Sequence, residues 1–204
     1  MSTTNELLYY IPAGQYGKEG VLALLEQHPE IKFVSLVGID LAGNDTDEKI
    51  PMSAFFDDYE SFFEGRAVQT DGSSVVLTNI ATLNNARVDM WGDPSVNWFV
   101  DYNYENIDPV TGLPTGTLRI PAFLMHNYRY VDSRSILKNS CDYVRAELLS
   151  LIKEHGLPGM PHVKADDVVD IIFTSATELE FWVKTPSRTV TKKELSVSQK
   201  LQEQ

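Results

Sequence analysis

The chain has 204 residues, of which 43% are apolar, so it is long enough to form one large domain or two small ones around a hydrophobic core. Its 29 acidic and 17 basic residues give a net charge of -12, which would repel a phosphate backbone and argues against a nucleic-acid partner. Cys141 is the single cysteine, which excludes a disulfide framework, and no apolar run approaches the ~20 residues of a membrane helix. We therefore expect a cytoplasmic protein without a membrane segment.

The first part of the chain predicts a helix followed by a hairpin. Apolar residues recur at helical spacing over residues 18–27, and Pro29 then disfavours helical geometry in the residue before it. Residues 31–41 are rich in Val, Ile and Leu and lead into a polar turn, which is typical of a strand. Lys49, Ile50 and Pro51 are expected to form the short return strand.

Aromatic residues dominate the next segment, where five Phe and Tyr side chains recur every three to four positions over residues 52–64. This spacing predicts an amphipathic helix with its aromatic face in the core. Several short strands are then expected, separated by turns and by a long polar loop over residues 103–116, and they lie at 66–70, 86–90, 97–102 and 117–124. The pattern favours an antiparallel, strand-dominated domain.

The character of the sequence changes at Asp132, which can cap a helix that continues to Gly156. Two further strands are predicted at 168–174 and 178–184, and helix-forming residues run from Lys192 to the last position without a closing signal. The sequence thus predicts a chain that stops within an element. We divide it into an extension with a helix (1–30), a strand-rich domain (31–131) and the beginning of another domain (132–204).

Glu178 and Glu180 are the strongest candidates for metal ligands. Because side chains alternate across a strand, both carboxylates would project to one face, roughly 7 Å apart. Each could then bind one of two neighbouring divalent cations, and Mg²⁺ and Mn²⁺ prefer carboxylate ligands. The alternative is an ordinary amphipathic strand with two solvated glutamates.

Two other segments are unremarkable when each is taken alone. Asp71, Gly72, Ser73 and Ser74 together resemble a tight hairpin turn, because Asp-Gly favours such a turn and the hydroxyls can bond back to the backbone. The segment 132–134, Asp-Ser-Arg, is a capped helix start.

The order of these motifs resembles that of the glutamine synthetase family. The family opens with a strand, a turn and an Ile-Pro return, similar to residues 37–40 and 50–51. Its Phe-Asp-Gly-Ser-Ser segment is similar to residues 71–74, and its Asp-Pro-Arg helix start is similar to residues 132–134. Its Glu-Pro-Glu-Phe strand is similar to residues 178–181, so the resemblance covers most of the chain, from about residue 34 to 183.

The resemblance implies an α+β fold: an N-terminal beta-grasp domain followed by the first helix and strands of a catalytic barrel. It implies that Glu178 and Glu180 each ligate one Mg²⁺ or Mn²⁺ ion, and that Asp71 contributes to the ammonium site of a neighbouring subunit. Ser73 and Ser74 would belong to the adjoining substrate-binding loop. The implied reaction joins glutamate and ammonia with ATP through γ-glutamyl phosphate, in homo-oligomeric rings that pair into dodecamers.

Some features depart from the family. Ser133 replaces the proline of the helix start, and the family's remaining metal ligands, ATP contacts and catalytic arginines would lie beyond Gln204. Since hard divalent ions need about six oxygen ligands, we expect this chain alone to be inactive, and we expect the region beyond Asp132 to self-associate or to be partly disordered. Two alternatives stay open: a γ-glutamyl-amine ligase, and a noncatalytic beta-grasp module that joins or regulates a synthetase oligomer.

Overall fold

A computed structural model describes residues 6–15, 17–77 and 86–176 together with Glu178 and Glu180. The chain divides into two compact units, residues 1–170 and 171–204. In the second unit, the described residues have no regular secondary structure. The predicted strand at 168–174 is therefore wrong, and most of the predicted strand at 178–184 and the helix from Lys192 lie outside the described residues.

The first unit is a mixed α/β structure dominated by antiparallel strand pairs, as predicted. Its main sheet has the order β1-β6-β7-β2-β3. The strands are β1 (Tyr10–Ile11), β2 (Ile31–Ile39), β3 (Asp45–Pro51), β6 (Trp98–Ile107) and β7 (Pro114–His126). The two central strands, β2 and β7, run parallel, and each has an antiparallel hairpin partner on its other side.

β7 is 13 residues long and continues beyond the main sheet into a second set of strand pairs. Here β4 (Val68–Asp71) pairs with β5 (Arg87–Gly92), β5 pairs with β7, and β7 pairs with β8 (Arg129–Tyr130), all antiparallel. The predicted long loop at 103–116 is wrong, because β6 continues to Ile107 and β7 already begins at Pro114. The short connection is closed by Asp108, whose carboxylate accepts hydrogen bonds from the N–H and the hydroxyl of Thr111.

The hydrophobic core lies on one face of the main sheet, under α1 (Lys18–Glu26) and the aromatic segment. Val21 and Leu25 of α1 are buried, as its predicted apolar spacing requires. The aromatic segment forms two short elements rather than one helix, α2 (Met52–Asp57) and a 3-10 turn (Tyr59–Phe63), because Asp58 between them leaves helical geometry. Phe55 is fully buried, and its ring lies 5.0 Å from that of Phe62 and 6.5 Å from that of Trp98.

The longest element is α3 (Ser133–His155), which matches the helix predicted between Asp132 and Gly156. The Asp132 carboxylate caps its start, and Gly156 ends it at φ 73°, in the left-handed region that glycine adopts without strain. Apolar residues of α3 remain exposed, among them Leu137, Val144 and Leu151. Among the described residues, no helix combines the length and apolar composition needed to cross a membrane.

Candidate functional site

The candidate site is the loop formed by Asp71, Gly72, Ser73 and Ser74, which we call the Asp71 loop. It follows directly on β4 and forms a 3-10 turn, so it is not the tip of a tight hairpin between adjacent strands. β4 and β5 form an antiparallel pair, but the predicted tight turn is wrong, because β5 begins only at Arg87 and residues 72–86 connect the two strands. The loop starts where the β4–β5 pairing ends, with Asp71 opposite Arg87.

The Asp71 side chain is exposed and held by its own loop. Its Oδ1 accepts a hydrogen bond of 2.7 Å from the backbone N–H of Ser73. The hydroxyl and the backbone N–H of Ser73 both lower the pKa of Asp71 by stabilising its ionised form. Ser73 and Ser74 are exposed, whereas Gly72 is buried and donates a hydrogen bond of 2.7 Å to the Ala86 carbonyl. The loop therefore presents a fixed carboxylate and two hydroxyl groups at the surface.

Charged side chains lie on the same face of the β4–β5 pair as Asp71. Val68, Thr70, Val88 and Met90 alternate into the core, so the intervening positions face outward, and among them are Gln69, Arg87 and Asp89. Arg87 Nε lies 3.0 Å from Asp89 Oδ1, which balances both charges within the face. Within the part of the chain that the structure describes, Asp71 forms no ion pair, so its negative charge can attract a cation.

Glu178 and Glu180, the predicted metal ligands, are both exposed and outside regular secondary structure. The described residues contain no group of three or more His, Cys, Asp or Glu side chains that could hold a metal ion. Two carboxylates cannot complete the shell of about six oxygens that Mg²⁺ or Mn²⁺ requires. The described part of the chain therefore does not form a complete metal centre.

The start of α3 was predicted to be a simple helix cap. It also joins α3 to the sheet. Asp132 is fully buried and accepts hydrogen bonds from the N–H and hydroxyl of Ser135 and from the N–H of Leu124 in β7. The Arg134 guanidinium lies over the Phe123 ring at 4.9 Å and donates to Asp93 Oδ2 at 2.6 Å. Asp93 was not among the predicted site residues.

A cavity of about 500 Å³ lies beside this junction, lined in part by Phe123, Tyr130, Arg134 and Lys138. Its two cations are already paired, Arg134 with Asp93 and Lys138 with Asp142 at 2.6 Å. The cavity therefore has little net charge with which to select an anionic ligand. We assign its residues to the attachment of α3 and not to the candidate site.

No family model matches the chain, and no curated protein matches it. Among the solved structures that are partly similar to the chain are the following two. The chain is 16% identical to the GmaS/ADP complex in conformation 1, with a TM-score of 0.37 over 60% of this chain and 25% of that one. It is 15% identical to Plasmodium falciparum glutamine synthetase, with a TM-score of 0.44 over 67% of this chain and 24% of that one. The chain thus spans about a quarter of the length of each of these two proteins.

Proposed function

We propose that this chain is the N-terminal portion of a glutamine synthetase-type ligase, which makes glutamine from glutamate, ammonia and ATP through γ-glutamyl phosphate. Its part in the reaction is to supply Asp71 to an ammonium site that other parts of the assembly complete. The observation that carries the proposal is the Asp71 loop itself: an exposed aspartate, with its pKa lowered by Ser73, at the position where the family motif has its ammonium-site residue.

The sheet supports the beta-grasp part of the proposal. A beta-grasp sheet has two parallel central strands, each flanked by an antiparallel hairpin partner, with helical elements on one face. The order β6-β7-β2-β3, with β2 and β7 parallel, has this arrangement. The Ile-Pro return of the family motif corresponds to Ile50 and Pro51 at the end of β3, paired with Val34 and Phe33 of β2.

The chemistry that the Asp71 loop can perform follows from its charge and exposure. An ionised carboxylate at the surface attracts an ammonium ion, and it can accept a proton from that ion as the neutral amine forms. Asp71 would be ionised at neutral pH even at the ordinary aspartate pKa, so the lowered pKa supports its binding of a cation and makes it a weaker proton acceptor. Because the side chain is exposed at the rim of its own unit, its ligand would have to be enclosed by another surface, as in an oligomer whose subunits share a site.

The rest of the reaction requires residues that the described part of the chain does not contain. In the complete enzyme, Glu178 and Glu180 would be among the residues that hold Mg²⁺ or Mn²⁺, and such an ion would supply charge stabilisation for phosphoryl transfer. We therefore propose that the 204-residue chain has no synthetase activity by itself. A γ-glutamyl hydroxamate assay of the purified chain checks this, and turnover would contradict it.

The native gene provides the test of the larger proposal. Sequencing beyond codon 204 is expected to show histidine, glutamate and arginine ligands in frame, and the product of that reading frame is expected to form glutamine. A stop codon directly after Gln204 would instead favour the noncatalytic module. If the reading frame continues, amine-dependent ATP hydrolysis distinguishes ammonia from a larger amine as the acceptor.

A further inference from the structure

The β2–β3 turn and the Asp71 loop are joined by one buried carboxylate. Asp40 follows β2 and is fully buried. Its Oδ1 accepts hydrogen bonds of 2.9 Å from the N–H groups of Ala42 and Asn44. Its Oδ2 accepts bonds of 3.0 Å from the Asn44 side-chain amide and from the N–H of Val76. Three of these four donors belong to the turn, whereas Val76 is 36 positions away in the sequence.

The contact with Val76 is reinforced by the backbone. The N–H of Leu41, the residue after Asp40, donates to the Val76 carbonyl at 3.2 Å. Val76 therefore donates to Asp40 through its N–H and accepts from Leu41 through its carbonyl. Val75 and Leu77, on either side of Val76, are buried in the core. The segment that leaves the Asp71 loop is therefore fixed to the β2–β3 turn at Val76.

Three hydrogen bonds, joined by the backbone between neighbouring residues, connect Asp40 to Asp71. Val76 is bonded to Asp40, the N–H of Val75 donates to the Gly72 carbonyl at 3.1 Å, and the N–H of Ser73 donates to Asp71 Oδ1. Gly72, next to Asp71, is bonded to Ala86, the residue before β5. The loop is thus held at Gly72 by Ala86 and, through Val75 and Val76, by Asp40.

We propose that Asp40 is a positioning residue that fixes the Asp71 loop, so that Ser73 remains bonded to the Asp71 carboxylate. This inference rests on the proposed role of Asp71, but its test does not involve the synthetase reaction. The described hydrogen-bond partners of Asp40 are all groups of the β2–β3 turn or of the segment after the Asp71 loop. We therefore assign it no direct contact with a ligand. The β2–β3 turn thereby controls the candidate ammonium site.

Asp40 is suited to this task because it is ionised. Burial alone would raise the pKa of Asp40, but the bonds from the Asn44 side chain and from the backbone N–H groups of Val76, Asn44 and Ala42 outweigh it and lower the pKa. A carboxylate can accept on both oxygens at once, whereas an asparagine offers one acceptor and one donor group. Asparagine at this position could serve the turn or the Val76 segment, but not both.

The test compares Asp40→Asn with Asn44→Ala. The first variant places an amide donor against the Val76 N–H or against the turn, while the second removes one donor to Oδ2 and leaves the Val76 contact in place. In the purified 204-residue chain, we expect Asp40→Asn to lower the exchange protection of the Val76 or Ser73 amide about tenfold, as the loss of one hydrogen bond implies. We also expect it to move the pKa of Asp71, followed by the NMR shift of its carboxyl carbon, upward toward the ordinary aspartate value.

Asn44→Ala should leave the pKa of Asp71 unchanged. A folded Asp40→Asn chain with an unchanged Asp71 pKa would overturn the proposal. If Asp40→Asn does not fold, an acid titration of the wild-type chain decides instead: the amide shift of Val76 must follow the titration of the Asp40 carboxyl group, and a Val76 shift that does not follow it would overturn the proposal. These results are independent of synthetase activity, so an unchanged loop in an active enzyme refutes this inference alone.

Discussion

Arg134 and Asp93 form the ion pair that attaches α3 to the sheet, with Nη2 donating to Oδ2 at 2.6 Å. The Asp93 side chain is 4% exposed and the Arg134 side chain 36% exposed. Asp93 also accepts hydrogen bonds from the N–H and the hydroxyl of Ser95, so its carboxylate is held in place independently of Arg134. The pair thus joins an ordered acidic group in the loop after β5 to the first turn of the helix.

Replacing Arg134 by Met should destabilise the fold, because it leaves the buried Asp93 carboxylate without its cation. We expect the free energy of unfolding to fall by about 2 kcal/mol. This is less than for a fully buried pair, because water already screens the partly exposed guanidinium. Lys138→Met is the matched control, since the Lys138–Asp142 pair on the same helix is exposed and should contribute at most about 0.5 kcal/mol. Urea unfolding of both variants measures the difference, and equal losses would contradict the assignment.

Asp132→Ala tests the start of α3. The substitution removes three acceptor contacts, to Leu124 and to both donors of Ser135, and leaves these buried groups without partners. We expect a loss of about 2–3 kcal/mol in the free energy of unfolding, together with reduced helicity by circular dichroism. Ser133→Ala, next to the cap, is the control, and a loss as large as that of Asp132→Ala would argue against capping as the cause.

Gly65→Ala should destabilise the chain through two separable effects. Gly65 has φ 68°, where an alanine is strained, and an added Cβ would overlap the indole nitrogen of Trp91. Gly112 has φ 71° with nothing within 4 Å of an added Cβ, so Gly112→Ala measures the backbone strain alone. We expect about 1 kcal/mol for Gly112→Ala and at least about 1 kcal/mol more for Gly65→Ala. Equal melting temperatures for the two variants would show that the Trp91 contact has no cost.

The stability of the chain should fall in acid because several carboxyl groups, among them the buried Asp93 and Asp40, have lowered pKa values in the folded state. For Asp93, burial raises the pKa, but hydrogen bonds from Ser95 and Arg134 and the charge of Arg134 lower it further than burial raises it. For Asp40, burial likewise raises the pKa, but the hydrogen bonds from its four donors lower it further than burial raises it. A lowered folded pKa gives stability that is complete above the unfolded value of about 3.9 and is lost as the pH falls through the folded pKa.

Thermal unfolding between pH 7 and pH 3 measures this dependence. We expect the melting temperature to fall below about pH 4, and to fall less steeply in Arg134→Met, where one cause of the low Asp93 pKa is gone. A melting temperature that rises on acidification would contradict the assignment of both carboxylates.

The helices and strands with strong local signals could be predicted from the sequence. The apolar spacing around Val21 and Leu25 gave α1, and the capping pattern at Asp132 with glycine at 156 gave α3. The extension of β6 to Ile107 could not be predicted, because its exposed end is polar and is ordered by pairing with β7 and by the turn at Asp108.

The loop carrying Asp71 could be located from its motif, but its attachment could not. Asp40 is distant in the sequence from Val76, and Asp93 from Arg134, and no local pattern indicates that these residues meet. Such contacts depend on the order of strands in the sheet, which hydrophobic spacing does not specify. The roles of Glu178 and Glu180, the domain boundary near Asp132 and the self-association of the later region stay predictions.

The central claim is that Asp71 contributes to an ammonium site of a glutamine synthetase-type ligase. The most direct test is steady-state glutamine formation by the product of the full native reading frame, with Asp71→Asn compared with Glu105→Gln, a change at another exposed carboxylate. We expect Asp71→Asn to reduce kcat/KM for ammonia about 10²-fold or more, as for loss of a group that binds and deprotonates a reactant, and Glu105→Gln to have no effect. An unchanged kcat/KM for ammonia in Asp71→Asn would contradict the account.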